Sequence, residues 1–418
     1  MNNPQKCPMG LYAEQLSGTS FTQPRHKNLR TWMYRVKPTV GHSKHQEADP
    51  KEFQYFLSDF DSNNEKFTLT PDQLRWKQFP LPKSNEKVDF LHGISTYCGV
   101  GSPLIKDGIA MYMYSCNVSM PENTAFYSAD GDFLIVPQLG ELLITTETGK
   151  LTVKPKEIAV IPRGLRYRVD QEGDARGYIC EIFKGHYILP ELGPIGANGL
   201  ANPRDFETPC AWYEDKDCDF NVISKFGGKF FRCQYAHSIF NCVAWWGNYL
   251  PYKYDLERFN TIGTISFDHP DPSIFLVLTA STDEIGTSLC DFVIFPPRWL
   301  VGENTFRPPY YHRNTMNEFM GNICGTYDAK EVGFIPGSAS LHSCMSGHGP
   351  ETAVFEKAST KELKPEKIGE GSLAFMFETA YTMKIPKFAL EESKLDNGYI
   401  DCWRDLKNHF RSEKTDNI

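Results

Sequence analysis

The 418-residue chain has twelve cysteines but no Cys-x-x-Cys pair, which excludes zinc-finger spacing and a compact disulfide scaffold. It lacks any run approaching the ~20 apolar residues of a membrane helix. Residues 1–12 hold no basic stretch followed by an apolar one. Positive charge is not in excess either: 44 Lys and Arg stand against 52 Asp and Glu, a net charge of −8. Little is therefore left over to neutralise a phosphate backbone or anionic lipid. There is no low-complexity tract and no repeat at the ~20 to 50 residues of solenoids. The expectation is a soluble cytoplasmic protein with reduced thiols, no nucleic-acid partner and no membrane partner. The triplet Asn117-Val118-Ser119 has the form of a glycosylation site, but with no other sign of export it reads as unmodified.

What the chain does have is a globular balance, 40% hydrophobic and 23% charged, with 32 glycines and 28 prolines that imply many turns and few long helices. The length allows roughly two to four domains. Short apolar segments recur between clusters of Gly, Pro, Asn and Asp, the pattern of many short strands. The clearest block is 131–169. There Leu142, Ile144 and Thr146 share a strand face, Glu147-Thr148-Gly149-Lys150 makes a hairpin turn, and Pro162-Arg163-Gly164 marks a corner. This block resembles a cupin, a small double-sheet jelly roll. It contains no histidine, so it reads as a structural barrel without metal.

Residues 193–200, rich in turn formers, read as an irregular surface connection. A second strand-rich region spans 263–387 and holds His269, His312, His342 and His348, so the chemistry is expected there. In the tail, Leu390, Leu395, Trp403, Leu406 and Phe410 are candidate anchors of one or two terminal helices. The fold expectation is all-β, with a two-domain cupin or jelly-roll architecture and a few peripheral helices. Residues 1–262 would carry the metal-free barrel and residues 263–418 the catalytic unit.

His312 and Glu318 lie six positions apart, an even number that puts both on one face of a regular strand. His342 and His348 are again six apart, behind the corner Gly333-Phe334-Ile335-Pro336-Gly337. Two imidazoles and a carboxylate on one side of a metal leave the opposite positions open, the arrangement of non-haem Fe(II) oxygenases. The same spacing equally fits a buried histidine with a carboxylate partner. Spacing does not choose between His342 and His348, although the glycines flanking His348 permit a sharp turn. Taken alone, His269 between Asp268 and Pro270 reads as a turn residue, and Tyr327 as a packing residue.

The residues Leu11-Tyr12-Ala13-Glu14-Gln15-Leu16-Ser17-Gly18, Phe267-Asp268-His269-Pro270-Asp271-Pro272-Ser273, Phe292-Val293-Ile294-Phe295-Pro296-Pro297-Arg298-Trp299, and the stretches 306–321 and 333–350 resemble the homogentisate 1,2-dioxygenase family. The resemblance runs over nearly the whole chain. It implies an Fe(II) enzyme that opens the homogentisate ring with O2 to give maleylacetoacetate, in tyrosine and phenylalanine catabolism. By the same resemblance His312, Glu318 and His348 are the iron ligands and His342 is a near-site residue. His269 is the general base, Tyr327 and His348 contact substrate, and the assembly is a hexamer built from trimers. Arg313, beside His312, is a candidate partner for the substrate's negative charge.

One departure is that the family carries a further segment, with a Gly-Phe-Gly-Asn run, before the stretch matching Asn3-Pro4-Gln5. If that segment orders the pocket, the expectation is weak activity. The competing readings are a Mn or Zn cupin isomerase, a non-catalytic cupin binding protein, and a truncated inactive form. A Cys344/His348 nucleophilic pair is a further possibility, without a local signature to support it.

Overall fold

The computed structural model describes residue 7 and residues 9–60, 64–263, 266, 268–302, 307 and 309–411. Phe267, Phe306 and Pro308 of the motifs above, and Asn3 to Gln5, lie outside that set. Among the described residues strands dominate, with one α-helix, Thr352–Thr360, and short 3-10 turns. No helix there is long and apolar enough to cross a membrane. The fold is all-β among the described residues.

Three sheets form its body. An outer seven-stranded sheet carries the hairpin Leu142–Thr146 and Gly149–Val153 together with Thr124–Ser128, Asp217–Phe226 and Lys229–His237. A middle seven-stranded sheet is centred on Asp132–Leu139, Ala175–Ile182 and Asp107–Cys116. The third has six strands, in the order Leu276–Ser281, Ser288–Phe295, Leu373–Thr379, Asn317–Cys324, Ala339–His342 and Leu74–Trp76.

Strand alternation explains how they stack. In the middle sheet Tyr112, Phe133, Ile135 and Ile179 share a core with Phe126, Leu142 and Ile144 of the outer sheet. Their neighbours Met111, Leu134 and Cys180 share a second core with Phe292, Phe319 and Phe375 of the six-stranded sheet. A sheet covered on both faces has no polar face to alternate with, and every residue of Ala175–Ile182 is buried. The six-stranded sheet keeps its other face for Val293, Met320 and Met376, which pack with Tyr327 and Phe334. That face carries the site described below.

The turn chemistry follows the sequence. Thr146 pairs with Gly149 across Glu147 and Thr148, and Gly164 takes φ +83° at the corner after Pro162. The connection near 193–200 makes a 3-10 turn, Gly193–Ile195. The tail departs from expectation, because it forms the 3-10 turns Lys387–Leu390 and Tyr399–Trp403 and no α-helix. Asp396 closes the turn that breaks it, its carboxylate accepting from the Gly398 N–H at 3.2 Å. Leu406 and Phe410, read as anchors, are exposed.

The outer and middle sheets are joined by a buried ionic cluster. Lys225 Nζ, fully buried, lies 2.9 Å from Asp130 Oδ2 and 3.0 Å from Glu181 Oε1. Tyr112 Oη and Ser128 Oγ each donate to Glu181 at 2.7 Å. Removing the cation leaves two buried carboxylates without a counter-charge. Lys225→Met is therefore expected to lower the unfolding free energy by about 3–5 kcal/mol, read from urea unfolding. A loss below ~1 kcal/mol would place the cluster among pairs that contribute little.

Candidate metal centre

Glu318 is the second residue of the strand Asn317–Cys324. Alternation sends Phe319 into the core against the middle sheet and turns Glu318 and Met320 to the opposite face. Directly across the strand pairs, Glu318 faces His342 on one side and Glu378 on the other. Three ionisable side chains thus lie in a row on one sheet face.

His312 and His348 reach this row from outside the regular strands. Their backbones exchange two hydrogen bonds, His312 N–H to His348 O at 2.9 Å and His348 N–H to His312 O at 3.1 Å, which sets the rings 4.2 Å apart. The even spacing of His312 and Glu318 is therefore not strand alternation. Residues 313–316 bend, with Asn314 Oδ1 accepting from the Met316 N–H at 3.1 Å, and the two side chains meet across that bend. Between His342 and His348 the chain turns at Met345, φ +61°, and not at the flanking glycines. Gly349 is needed for a different reason: a Cβ there would stand 2.6 Å from Tyr311 Cδ1.

The imidazole tautomers are fixed by the backbone. His312 Nδ1 donates to Tyr310 O and His348 Nδ1 to Ser346 O, each at 3.0 Å. That leaves Nε2 of each ring facing Glu318, at 3.2 Å from Oε1 and 2.9 Å from Oε2 respectively. Two lone pairs aimed at a carboxylate require positive charge between them, a proton or a metal ion. Donor atoms of His312, Glu318 and His348 all lie within 4.8 Å of one another. With backbone carbonyls orienting both imidazoles, this donor set fits a metal with open positions.

His342 is excluded from that set by its own bonds. Its Nε2 accepts from Lys330 Nζ and lies 2.9 Å from it and 2.9 Å from Tyr399 Oη, so the proton sits on Nδ1, 3.3 Å from Glu318 Oε2. It braces the carboxylate as a donor. Burial penalises ionised Glu318, yet hydrogen bonds from His312 and His348, each carrying a proton on Nε2 when no metal is bound, and from His342 hold its carboxyl well below the ordinary range. The bond to Glu318 raises His312. Burial, with Lys330 next, holds His342 well below the ordinary imidazole value. Burial, then Arg75, brings Lys330 down to about 7. Burial, then Glu318, takes Glu378 up to about 7.

Glu318, Tyr327, His342 and His348 line a small cavity of ≈ 50 Å³. It shares Pro272, Phe295, Pro309 and His312 with a larger cavity of ≈ 370 Å³, a size suited to a small organic ligand. The larger one is lined also by Arg298, Arg307, Arg313 and Tyr310. Arg298 is paired with Asp328 at 3.1 Å and Arg307 with Glu366 at 3.5 Å, while Arg313 has no ion pair among the described residues. His269 lies outside the cluster: it is exposed, follows Asp268 at φ +74°, and its ring packs 5.4 Å from that of Tyr310 beside Pro270 at the cavity wall. Tyr327 is buried in the small cavity with His348.

Sequence reasoning missed Lys330, Tyr399, Glu378 and Asn314. Asn314 Nδ2 donates to Glu318 at 3.2 Å and to Glu378 at 2.5 Å. Glu378 ends a continuous apolar run, 373–377, that reads as a buried strand, and this was the one local signal for it. No local signal marks Lys330 or Tyr399, which arrive through tertiary packing.

Nearly the whole chain is similar to known proteins. A family model described as the N-terminal part of homogentisate 1,2-dioxygenase matches residues 1–256, and one for the C-terminal part matches residues 257–410. The chain is 54% identical over 416 residues to the homogentisate 1,2-dioxygenase of Drosophila melanogaster, covering 99% of this chain and 93% of that protein. It is 52% identical over 413 residues to that of Homo sapiens, covering 98% and 91%. Against the enzyme of Caenorhabditis elegans identity is 53% over 413 residues, covering 99% and 93%.

The geometry of His342 sets an expectation. Removing the donor that braces Glu318, in His342→Ala, should weaken divalent-metal binding about 10–100-fold without changing its stoichiometry, measured by competition with a chelator. Affinity equal to that of the unaltered protein would mean that Glu318 is oriented without it.

Proposed function

Because the chain belongs to the homogentisate 1,2-dioxygenase family, we propose that it opens the aromatic ring of homogentisate with O2, giving maleylacetoacetate, at a ferrous ion held by His312, Glu318 and His348. The observation that carries the reading is the trio of donors within 4.8 Å, each imidazole fixed through Nδ1 on a backbone carbonyl. Bound there, Fe(II) supplies open coordination positions and the one-electron chemistry that lets O2 react with an aromatic ring.

The chain's own residues do the rest. His312, Glu318 and His348 would hold the ion through donor atoms that lie within 4.8 Å of one another, beside the larger cavity that His312 also lines. In that cavity the apolar walls of Ile274, Phe275 and Phe295 accept the ring and exclude water. Arg313 meets the acetate carboxylate, since Arg298 and Arg307 are already paired. Tyr327 and His348 bound the reacting end in the small cavity. His269 takes the phenolic proton on an imidazole nitrogen as substrate binds, from its position beside Tyr310 at the cavity wall.

The same reading divides the chain at residue 262, with the iron unit in 263–418, and makes the protein a cytoplasmic homo-oligomer, a hexamer by family likeness. All twelve cysteines are free thiols, which supports a reducing compartment.

The test is oxygen uptake by the iron-loaded protein on adding homogentisate, with product absorbance followed in parallel. Uptake with stoichiometric product is expected, and no uptake by protein with bound iron would overturn the reading. His312→Ala should lose both iron and turnover, whereas a variant keeping both would remove His312 from the ligand set. Arg313→Leu should raise KM for homogentisate about tenfold or more with little change in kcat, the pattern of a lost binding contact. An unchanged KM would take the carboxylate role away from Arg313.

A further inference from the structure

A second cluster of metal-type donors lies far from the cavities above, on the outer sheet. His42 and His45 sit on the segment before the short strand Gln46–Glu47, and Cys233 is on the strand Lys229–His237. One donor atom from each lies within 4.8 Å of the others. We propose that His42, His45 and Cys233 form a second metal site that takes a zinc-class divalent cation, with water completing a tetrahedron.

The donor chemistry selects the ion. Two imidazoles and a thiolate are the mixed nitrogen and sulfur set that binds Zn(II), and they contain no oxygen donor that Mg(II) or Ca(II) would need. The tautomer of His42 is already set: Nδ1 donates to Ser43 O at 2.7 Å, leaving the lone pair on Nε2. Partial burial, then the neighbouring His42 and Arg166, lower His45, which favours the neutral imidazole a metal requires. The two histidine rings stand edge to face, 4.8 Å apart.

The segment that carries the histidines is anchored before any metal arrives. Ser43 N–H donates to Gln234 O at 2.8 Å, and Gln234 N–H donates back to Ser43 Oγ at 2.9 Å. Tyr235 Oη donates to Thr39 O at 2.9 Å, and Gln46 and Glu47 pair with Arg232 and Phe231. The histidine segment and the strand bearing Cys233 are thus held in fixed register across the site, so little ordering entropy opposes coordination. Burial raises the Cys233 thiol above its ordinary value, so the incoming cation displaces its proton to water as the metal–sulfur bond forms. Bound there, the ion would clip the 36–48 segment to the outer sheet.

Co(II), a spectroscopic stand-in for Zn(II), tests this when titrated into the iron-loaded protein. The sulfur ligand distinguishes this site from the nitrogen and oxygen donors of His312, Glu318 and His348. The expected result is uptake with a thiolate-to-cobalt band in the near ultraviolet that disappears in Cys233→Ala. His42→Ala and His45→Ala alter exposed positions and should leave the circular dichroism unchanged, while each weakens the cobalt binding that gives the band by more than about tenfold. Absence of the band in the unaltered protein would overturn the proposal, as would a band of full intensity and affinity in the two histidine variants.

Discussion

Glu318 is a carboxylate withdrawn almost wholly from water, with a side chain 6% exposed, and much of the surrounding structure can be traced to what such a group requires. An ionised carboxylate removed from water is costly unless every lone pair finds a donor or a cation. Here the two oxygens are met by His312, His348, His342 and Asn314. Four partners converging on one carboxylate demand fixed positions, and long loops alone do not hold positions to a fraction of an ångström. The sheet does so for His342 by cross-strand pairing, and a two-bond backbone bridge does so for His312 and His348.

The rigidity of that face depends on the opposite one. Phe319, Phe375, Phe377 and Leu341 alternate with the site residues on their strands and are buried against the middle sheet. A cavity in that core would move the strands that carry Glu318 and His342. The N-terminal part of the chain also enters directly. The strand Leu74–Trp76 closes the edge of the six-stranded sheet, and Trp76 donates through Nε1 to Ala389 O at 2.8 Å. Next to it Arg75 pairs with Asp396 and Glu351 and lies over the ring of Tyr399, whose hydroxyl reaches His342. A residue more than 240 positions upstream of Glu318 thereby stabilises the ring system that orients it, so the two parts of the chain are mechanically one around the site.

How much of this was legible in the sequence depended on the range of the contacts involved. The hairpin at 142–153 and the corner at Pro162 were readable because turn residues and alternation are local signals. The chemistry of His312, Glu318 and His348 was readable as a set of residue types, but the geometric reason drawn from even spacing was not the operative one, since a bend at 313–316 intervenes. The family likeness named His348 over His342. In the structure Nε2 of His342 is engaged by Lys330 and Tyr399, contacts that no spacing in the sequence announces. Lys330 and Tyr399 themselves were invisible, because nothing in their neighbourhoods distinguishes a buried lysine or tyrosine from an exposed one. The tail misled for the opposite reason: apolar residues at near-helical spacing were present, but the segment is interrupted at Asp396 and Gly398 and rests on its turns.

The ionisable neighbours of Glu318 bear on which ligands the site can accept. Glu378, on the same face, is driven by burial and by Glu318 itself toward its protonated form, up to about 7. Lys330, on the other side of His342, is driven by burial and Arg75 toward its neutral form, down to about 7. Near neutral pH both therefore carry only part of their charge, and Glu318 is the one member of the group held firmly ionised. A divalent ion, were it held by the proposed ligands, would face a single full carboxylate charge and two neutral imidazoles and would keep an excess of positive charge. In a water-poor cavity that excess is weakly screened and favours an anionic ligand over a neutral one. Arg313 stands at the wall of the adjoining cavity and would extend the same preference outward. An acidic protein with a net charge of −8 can in this way recruit a carboxylate-bearing aromatic molecule, because the field that matters is the local one.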